Sequence, residues 1–274
     1  MLLSGGALKG RLHRIGRLRL ILVFYAFARE LAPFKRRLEN RRALDDPHLR
    51  GFRARLGAAE IAAVATGIGM ERAQAAARRA LDLYPDAELV LGTGVVGALS
   101  SGLAAGDLVV ADRILTDRAD GAAEQVAAID PATLSELGRY LRTARISYAT
   151  GAILTTQRVL ATGTDKRAAK ERTGAIAVDM ESAALAAEAH ARGLKFAVVR
   201  AVMDSVDEEV VGARMADQNG DVRPLQAAGF LIRNPGVVIG LPRMMLNLGR
   251  ATRSLAMALE AIVRRGELPH APRG

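Results

Sequence analysis

Two acidic residues flank the strand–helix–strand unit that the sequence predicts for residues 175–209, AIAVDMESAALAAEAHARGLKFAVVRAVMDSVDEE. Glu181 lies in the first turn of the predicted helix, and Asp204 follows the predicted strand 195–203. Two neighbouring carboxyl groups can divide acid–base work, since one protonates a leaving group while the other stabilises positive charge, as in glycoside hydrolysis. Each acid also has a structural interpretation, because a carboxylate near a helix N-terminus gains roughly 0.3–1 kcal/mol from the helix dipole.

A glycine-rich stretch, GTGVVG at 92–97, follows a predicted strand and matches the G-x-G-x-x-G pattern of dinucleotide-binding proteins, with Asp112 further on. This match keeps a dinucleotide-binding oxidoreductase open as an alternative. That pattern needs a crossover helix of about ten residues, and only 98–105 precede the next predicted strand. The other interpretation is a loop at a strand end, where bare backbone at glycines such as Gly94 lets a ligand approach closely.

Alternating strands and helices provide the frame that positions these residues. We predict strands within 18–26, 60–69, 87–99, 106–115 and 146–154, and helices within 27–38, 70–83, 131–142 and 241–265. This alternation indicates a largely parallel sheet covered on both faces. The 274 residues suffice for one sizeable core. We therefore predict an α/β fold, a single three-layer αβα sandwich with a central mixed β-sheet.

Residue composition excludes several kinds of chemistry. The chain has no cysteine, which excludes disulfides, thiolate nucleophiles and cysteine-based metal sites. Its four histidines are scattered and do not form a spaced ligand set: His13, His48, His190 and His270. We therefore expect no metal.

The positive charge of the chain is concentrated at its two ends. Residues 1–55 contain 14 Lys/Arg against 4 Asp/Glu, and residues 223–274 contain 8 against 2, so the middle is net acidic although the total is +10. Aromatic residues make up only 4%, and no nucleic-acid-binding module is recognisable. We therefore expect no nucleic acid partner, and the basic ends favour an anionic surface instead.

Two apolar runs are candidates for a membrane-spanning or targeting segment. Residues 20–28 are too few to span a bilayer, and the uncharged run 89–106 contains five glycines, which fits strand and loop better than a transmembrane helix. No small-residue cleavage site follows the first run. We therefore expect a cytoplasmic protein.

Four segments together resemble the purine nucleoside phosphorylase and nucleosidase superfamily. They are YAFARELAPF, ATGIGMERA, VLGTGVVGALSSGLAAGDLVVAD and AIAVDMESAALAAEAHARGLKFAVVRAVMD, in the order expected of that superfamily. The likeness is strongest to methylthioadenosine/S-adenosylhomocysteine nucleosidases and to hopanoid-associated phosphorylases. It implies a catalytic domain over 18–265, a basic N-terminal extension over 1–17, a tail over 266–274, and a homo-oligomer. It also implies an activity that needs no cofactor.

The resemblance also implies roles for individual residues. Glu30 in AFARE corresponds to the acid that activates the attacking water, and Asp204 in RAVMD to the acid that protonates the purine. Glu181 in DMES corresponds to the acid that holds the ribose hydroxyls, with Met180 beneath the sugar. The remaining positions implied to bind substrate are Gly94, Val95, Val159 and Arg200.

Departures from the superfamily pattern bear on the substrate. Val95 and Met203 stand where the nucleosidases have serines, and Val159 stands where an aromatic side chain would stack on the purine. These changes make the expected pocket more apolar. The phosphate-binding Gly-Asp-Pro and Arg of the large phosphorylases are also absent near 24–36, which favours water over phosphate as nucleophile. The resemblance favours adenosylhopane as substrate, with methylthioadenosine/S-adenosylhomocysteine hydrolysis and phosphorolysis as alternatives.

A basic amphipathic helix is predicted over 241–265. One face contains Met244, Leu248, Ala251, Leu255, Leu259 and Ile262, and the other contains Arg243, Asn247, Arg250, Ser254 and Arg265. The simpler interpretation is a terminal helix packed on the core with a solvated arginine face. Together with the basic cluster in 9–19, the helix could instead hold the protein against anionic lipid at the inner face of the membrane.

Overall fold

The computed structural model describes residues 19–118, 121–210 and 235–266. The predicted extension 1–17 and all of the predicted tail except Gly266 lie outside the described residues. The strands are β1 (Arg19–Tyr25), β2 (Glu39–Arg42), β3 (Arg50–Leu56), β4 (Ala59–Ala65), β5 (Leu89–Ala98), β6 (Leu108–Asp117), β7 (Ala123–Ala128), β8 (Ala149–Thr155), β9 (Ala177–Asp179) and β10 (Phe196–Asp204). The helices are α1 (Ala28–Lys35), α2 (Met70–Leu83), α3 (Pro131–Thr143), α4 (Gly163–Thr173), α5 (Ser182–His190) and α6 (Pro235–Val263).

The ten strands form one mixed sheet that is partly closed on itself. Strands β2, β3, β4 and β1 lead to β5, which pairs with both β9 and β10. Since β10 pairs with β6, β6 with β8 and β8 with β9, these strands and β5 complete a ring. The pairs β1–β5, β5–β10, β6–β8 and β8–β9 are parallel, whereas β5–β9 and β6–β10 are antiparallel. The predicted α/β fold with a mixed sheet is confirmed.

Apolar side chains on both faces of the sheet explain its helical layers. In β1, Ile21 and Val23 join one buried cluster while Leu22 and Phe24 join the other, as expected for a strand covered on both faces. The first cluster includes residues of α1, α3 and α6, and the second includes residues of α2 and α5. The sheet therefore lies between two helical layers.

Some elements differ from their predicted bounds or type. The predicted helix 27–38 ends at Lys35, and the predicted helix 241–265 begins at Pro235 and contains Pro242. Asn247, predicted on the exposed face of that helix, is buried and lies 3.5 Å from the carboxylate of Glu208. The predicted glycine loop within 87–99 is instead part of β5.

Candidate active site

Strands β5 and β10 pair in parallel and place glycines beside the largest buried polar side chains. In this register Gly94 lies opposite Arg200, and Gly97 lies opposite Asp204. A Cβ atom on Gly94 would lie 2.5 Å from Glu30 Oε1 and 2.7 Å from Arg200 Nη1. A Cβ atom on Gly97 would lie 3.0 Å from Asp204 Oδ2. These glycines therefore make room for charged side chains of the protein itself. The sequence analysis had instead predicted a loop whose glycines let a ligand approach.

Glu30 is buried at the start of α1 and is held by backbone donors. Its Oε2 accepts hydrogen bonds from the N–H groups of Ala26 (2.7 Å) and Phe27 (3.1 Å), and its Oε1 accepts one from Val95 (2.9 Å). As the third residue of the helix, Glu30 thus also caps the helix N-terminus. Burial raises the pKa of its carboxyl, while Arg200 and the backbone donors oppose the rise.

Glu181 lies between β9 and α5, next to a buried arginine. Its Oε1 accepts a hydrogen bond from the N–H of Gly69 (3.0 Å), and its Oε2 lies 3.7 Å from Arg200 Nη2. Burial raises the pKa of Glu181 to about 7, with Arg200 opposing the rise and Asp179 adding to it. A carboxyl group with this pKa exists in both protonation states near neutral pH.

Arg200 is fully enclosed and bound to protein groups. Its Nη2 lies 2.6 Å from Asp179 Oδ2 and donates to Ser182 Oγ (3.0 Å), and its Nη1 donates to the carbonyl of Thr93 (2.8 Å). Since Asp179 also accepts hydrogen bonds from Thr155 Oγ1 (2.8 Å) and Ser182, this network fixes the guanidinium behind Glu181.

Asp204 ends β10 and contacts a buried lysine. The Nζ of Lys166 contacts Asp204 Oδ2 and donates to the carbonyls of Ser205 and Glu208, both at 2.8 Å. Lys166 is fully buried on α4, whereas the Asp204 side chain keeps a small exposed fraction. Burial raises the pKa of Asp204, and Lys166 opposes the rise.

A cavity of about 190 Å³ brings most of the predicted site residues together. Its lining includes six of them: Glu30, Val95, Val159, Met180, Glu181 and Asp204. Much of the remaining lining is apolar and includes Phe27, Ile68, Leu160, Val178 and Met203. Gly94 and Arg200, which were also predicted to bind substrate, do not line it and lie behind Glu30 and Glu181.

The sequence analysis missed two charged residues of this region. Asp179 stands at the carboxyl end of β9, a position where α/β proteins often place functional groups, so its location carried a usable signal. Lys166 had no such signal, because a lysine in a polar helix is expected to be solvated.

The arrangement suits acid–base chemistry on an apolar ligand that has a few polar groups. Burial raises the pKa values of all three carboxyl groups, and perturbed carboxyl groups that share a cavity are typical of acid–base sites. The dinucleotide interpretation loses its structural basis, because residues 92–97 lie inside β5 and residues 99–107, which lead to β6, contain no helix.

Comparisons with known proteins give the family. The model of the phosphorylase superfamily matches residues 20–227. A 5′-methylthioadenosine/S-adenosylhomocysteine nucleosidase of Staphylococcus epidermidis is 24% identical over 197 residues, covering 68% of this chain and 86% of that protein.

Solved structures agree at the level of the fold. The corresponding nucleosidase and the futalosine hydrolase of Helicobacter pylori each superpose with a TM-score of 0.69 at 18% identity, covering 90% of this chain and 98% of theirs. A nucleosidase from Colwellia psychrerythraea in complex with adenine gives 0.70 at 17% identity, covering 92% of this chain and 98% of its own. The chain is therefore an enzyme that belongs to the phosphorylase superfamily.

Proposed function

We propose that this enzyme cleaves the N-glycosidic bond between adenine and the ribose of a nucleoside, with water as the nucleophile. The observation that carries the proposal is the convergence of Glu30, Glu181 and Asp204 on one cavity. Cleavage produces an oxocarbenium-like sugar and an electron-rich purine, which need negative charge near the first and a proton for the second. The relatives with nucleosidase names support the same reaction class.

Each acid has a proposed role. Asp204 passes a proton to the purine, and Glu181 binds the ribose hydroxyls with charge-assisted hydrogen bonds. Glu30 activates the water. Met180 packs beneath the sugar, Val95 and Val159 contact the nucleoside, and Arg200 fixes the orientation of Glu181.

The lining supports water over phosphate. Among the described residues the cavity lining contains no arginine, and its one lysine, Lys166, is paired with Asp204, while Arg200 is committed to Asp179 and Ser182. A phosphate nucleophile would need a cation that is not already paired, since bound phosphate is normally held by arginine, lysine or a helix N-terminus. The alternative is phosphorolysis, in which phosphate takes the place of water as the nucleophile.

For the nucleoside we propose adenosylhopane, from the resemblance to hopanoid-associated enzymes, which would be cleaved to adenine and ribosylhopane. The apolar lining by Val95, Met203 and Leu160 supports a substrate with few polar groups. The cavity volume is below the roughly 300–1,000 Å³ of pockets for drug-sized ligands, so a bulky 5′ substituent would extend out of the mouth. Methylthioadenosine or S-adenosylhomocysteine is the alternative that the named relatives favour.

The exposed side of α6 supports a peripheral contact with anionic membrane at the cytoplasmic face. Met245, Leu246 and Met257 are 46%, 66% and 45% exposed there, and Arg250 and Arg253 lie exposed on the same helix. Arginine beside apolar side chains fits an interface with anionic headgroups. Of the basic cluster 9–19 that was predicted to join this contact, only Arg19 is among the described residues, and it donates to the carbonyl of Val263 (2.6 Å). The resemblance also favours a homo-oligomer. Among the described helices, none combines the length and the apolar character needed to cross a bilayer.

A panel of nucleosides tests the proposed reaction and its substrate. Adenosine, methylthioadenosine and adenosine with a long apolar 5′ substituent are incubated with the enzyme, and free adenine is measured. We expect adenine release, with the highest kcat/KM for the long apolar substituent. A preference for methylthioadenosine would favour the alternative substrate. Release from none of them, together with nicotinamide fluorescence changes on binding, would overturn the reaction class.

A further inference from the structure

We propose that Lys166 is the proton source for Asp204, so that the two residues act as one proton-carrying pair. This inference rests on the proposed function, in which Asp204 protonates the departing purine. It concerns how that proton is held and replaced at a carboxyl group shielded from solvent. Lys166 acts through Asp204 and is not itself required to touch the substrate.

The contacts of Lys166 account for every proton of its ammonium group. An ammonium has three N–H donors, and here the acceptors are Asp204 Oδ2 and the carbonyls of Ser205 and Glu208. Carbonyl oxygens cannot donate, so two of the protons stay on Nζ. The third proton is the one that Lys166 shares with Asp204.

The same contacts suit the pair after that proton has moved. With the proton on Asp204, the neutral amine still donates to both carbonyls, and its lone pair accepts from the carboxyl group. Within the described residues, Nζ of Lys166 therefore keeps its contacts with Asp204 and with both carbonyls in either state. Burial also favours the neutral pair relative to separated charges, because the side chain of Lys166 is fully buried and that of Asp204 nearly so.

Other charged groups near the pair have their own partners. Glu208 pairs with Arg243 (2.5 Å), and Asp207 pairs with Arg167 (2.7 Å). Across the cavity lie Glu30 and Glu181, which are held by the contacts described above. Within the described residues, Lys166 is the cation in contact with Asp204.

The transfer balances as follows. An N–H bond of Lys166 breaks as the Asp204 O–H forms, and that O–H then gives its proton to a purine ring nitrogen. The electron pair of the bond between C1′ and nitrogen goes to the purine. Water forms the new C–O bond at C1′ and loses a proton to Glu30. Glu30 later releases this proton to solvent, and Lys166 takes one up, so the sum is nucleoside plus water giving sugar plus adenine.

The test is the pH profile of kcat for adenine release by Lys166→Met. In the wild type, the alkaline limb reports loss of the proton that the pair shares. In the variant, Asp204 alone carries this proton, so the alkaline limb should move to lower pH. The loss of turnover should therefore grow as the pH rises and reach about 100-fold on the alkaline side. Lys170→Met is the matched control, since Lys170 lies one turn further along α4 and bonds to Gly174. It should keep the wild-type profile.

Other outcomes overturn the inference. If the alkaline limb of Lys166→Met moves to higher pH, Lys166 only lowers the pKa of Asp204. If that limb stays in place and kcat is lower at every pH, the role of Lys166 is structural. If Lys166→Met does not fold, the double variant Lys166→Met with Asp204→Asn is used, because it removes both charges of the pair. Its turnover should equal that of Asp204→Asn alone. A further loss of tenfold or more would contradict the proposal that Lys166 acts through Asp204. Wild type that releases no adenine would refute the proposed function instead.

Discussion

Asp204 presents the most direct test at the scale of single residues. Asp204→Asn keeps the shape of the side chain but removes the acid, so turnover of adenine nucleosides should fall by about two to four orders of magnitude. The fold should persist, because the amide oxygen can still accept from Lys166. Thermal unfolding and adenine release on the same preparation check both statements, and wild-type turnover in the variant would refute the assigned role.

Glu30 and Glu181 should respond differently to the sugar. Glu181→Gln weakens the grip on the ribose hydroxyls, so 2′-deoxynucleosides should lose less kcat/KM than ribonucleosides do. Glu30→Gln should slow both sugars alike, because it acts on the nucleophile. The two variants are compared with adenosine and 2′-deoxyadenosine, and equal sugar dependence in both would contradict this division of roles.

Sequence reasoning located the acids more readily than their supporting residues. Glu181 and Asp204 could be recognised because each stands where a helix begins or a strand ends, and Glu30 came from the resemblance. The positions of Lys166 and Arg200 depend on β10 lying beside β5 and on α4 reaching the end of β10, which are contacts between distant parts of the chain. No local pattern encodes them.

At the scale of elements, the glycines of β5 should be intolerant of side chains. Gly94 has φ +131°, and its added Cβ would meet Glu30 and Arg200. Gly94→Ala should therefore lose roughly 2 kcal/mol or more of unfolding free energy and most of the activity. Gly102→Ala is the matched control, since nothing lies within 4 Å of its added Cβ. Denaturant unfolding measures both, and equal stability would refute this account of β5.

Helices and strands with a regular pattern of apolar residues could be predicted from the sequence, whereas strand β2 and helix α4, which are mostly polar, could not. The alanine-rich helix predicted over 70–83 is found as Met70–Leu83, because Ala73, Ala77 and Ala80 recur on its buried face. Strand β2 escaped prediction because all four of its residues are exposed, so it has no alternation of burial. Helix α4 escaped because its sequence, GTDKRAAKERT, contains few apolar residues.

At the scale of the whole molecule, the closure of the sheet lay beyond sequence reasoning. Alternating strands and helices predict a covered sheet, but the double pairing of β5 with β9 and β10 is a long-range choice. That closure brings β9 and β10, and with them Glu181 and Asp204, to the same cavity. The fold class was therefore predictable, whereas the detailed shape of the site was not.

The proposed membrane contact predicts sedimentation with anionic but not neutral vesicles. Arg250→Gln with Arg253→Gln should weaken binding roughly 30-fold, since each arginine near the surface contributes about 1 kcal/mol. The matched control is Arg72→Gln with Arg79→Gln, an equal loss of charge on α2 in the opposite helical layer. Binding that ignores lipid charge would refute the contact. If the protein instead self-associates as its concentration rises, and Leu246→Ser abolishes this association, the exposed side of α6 is an interface with a second copy of the chain.

The central claim is that water cleaves the bond between adenine and ribose in this site. The most direct measurement is product analysis by mass spectrometry in phosphate-free buffer, with Asp204→Asn run in parallel. The account predicts adenine and a free sugar in equal amounts from the wild type, and almost none from the variant. Adenine that appears only when phosphate is added, together with a sugar 1-phosphate, would contradict it.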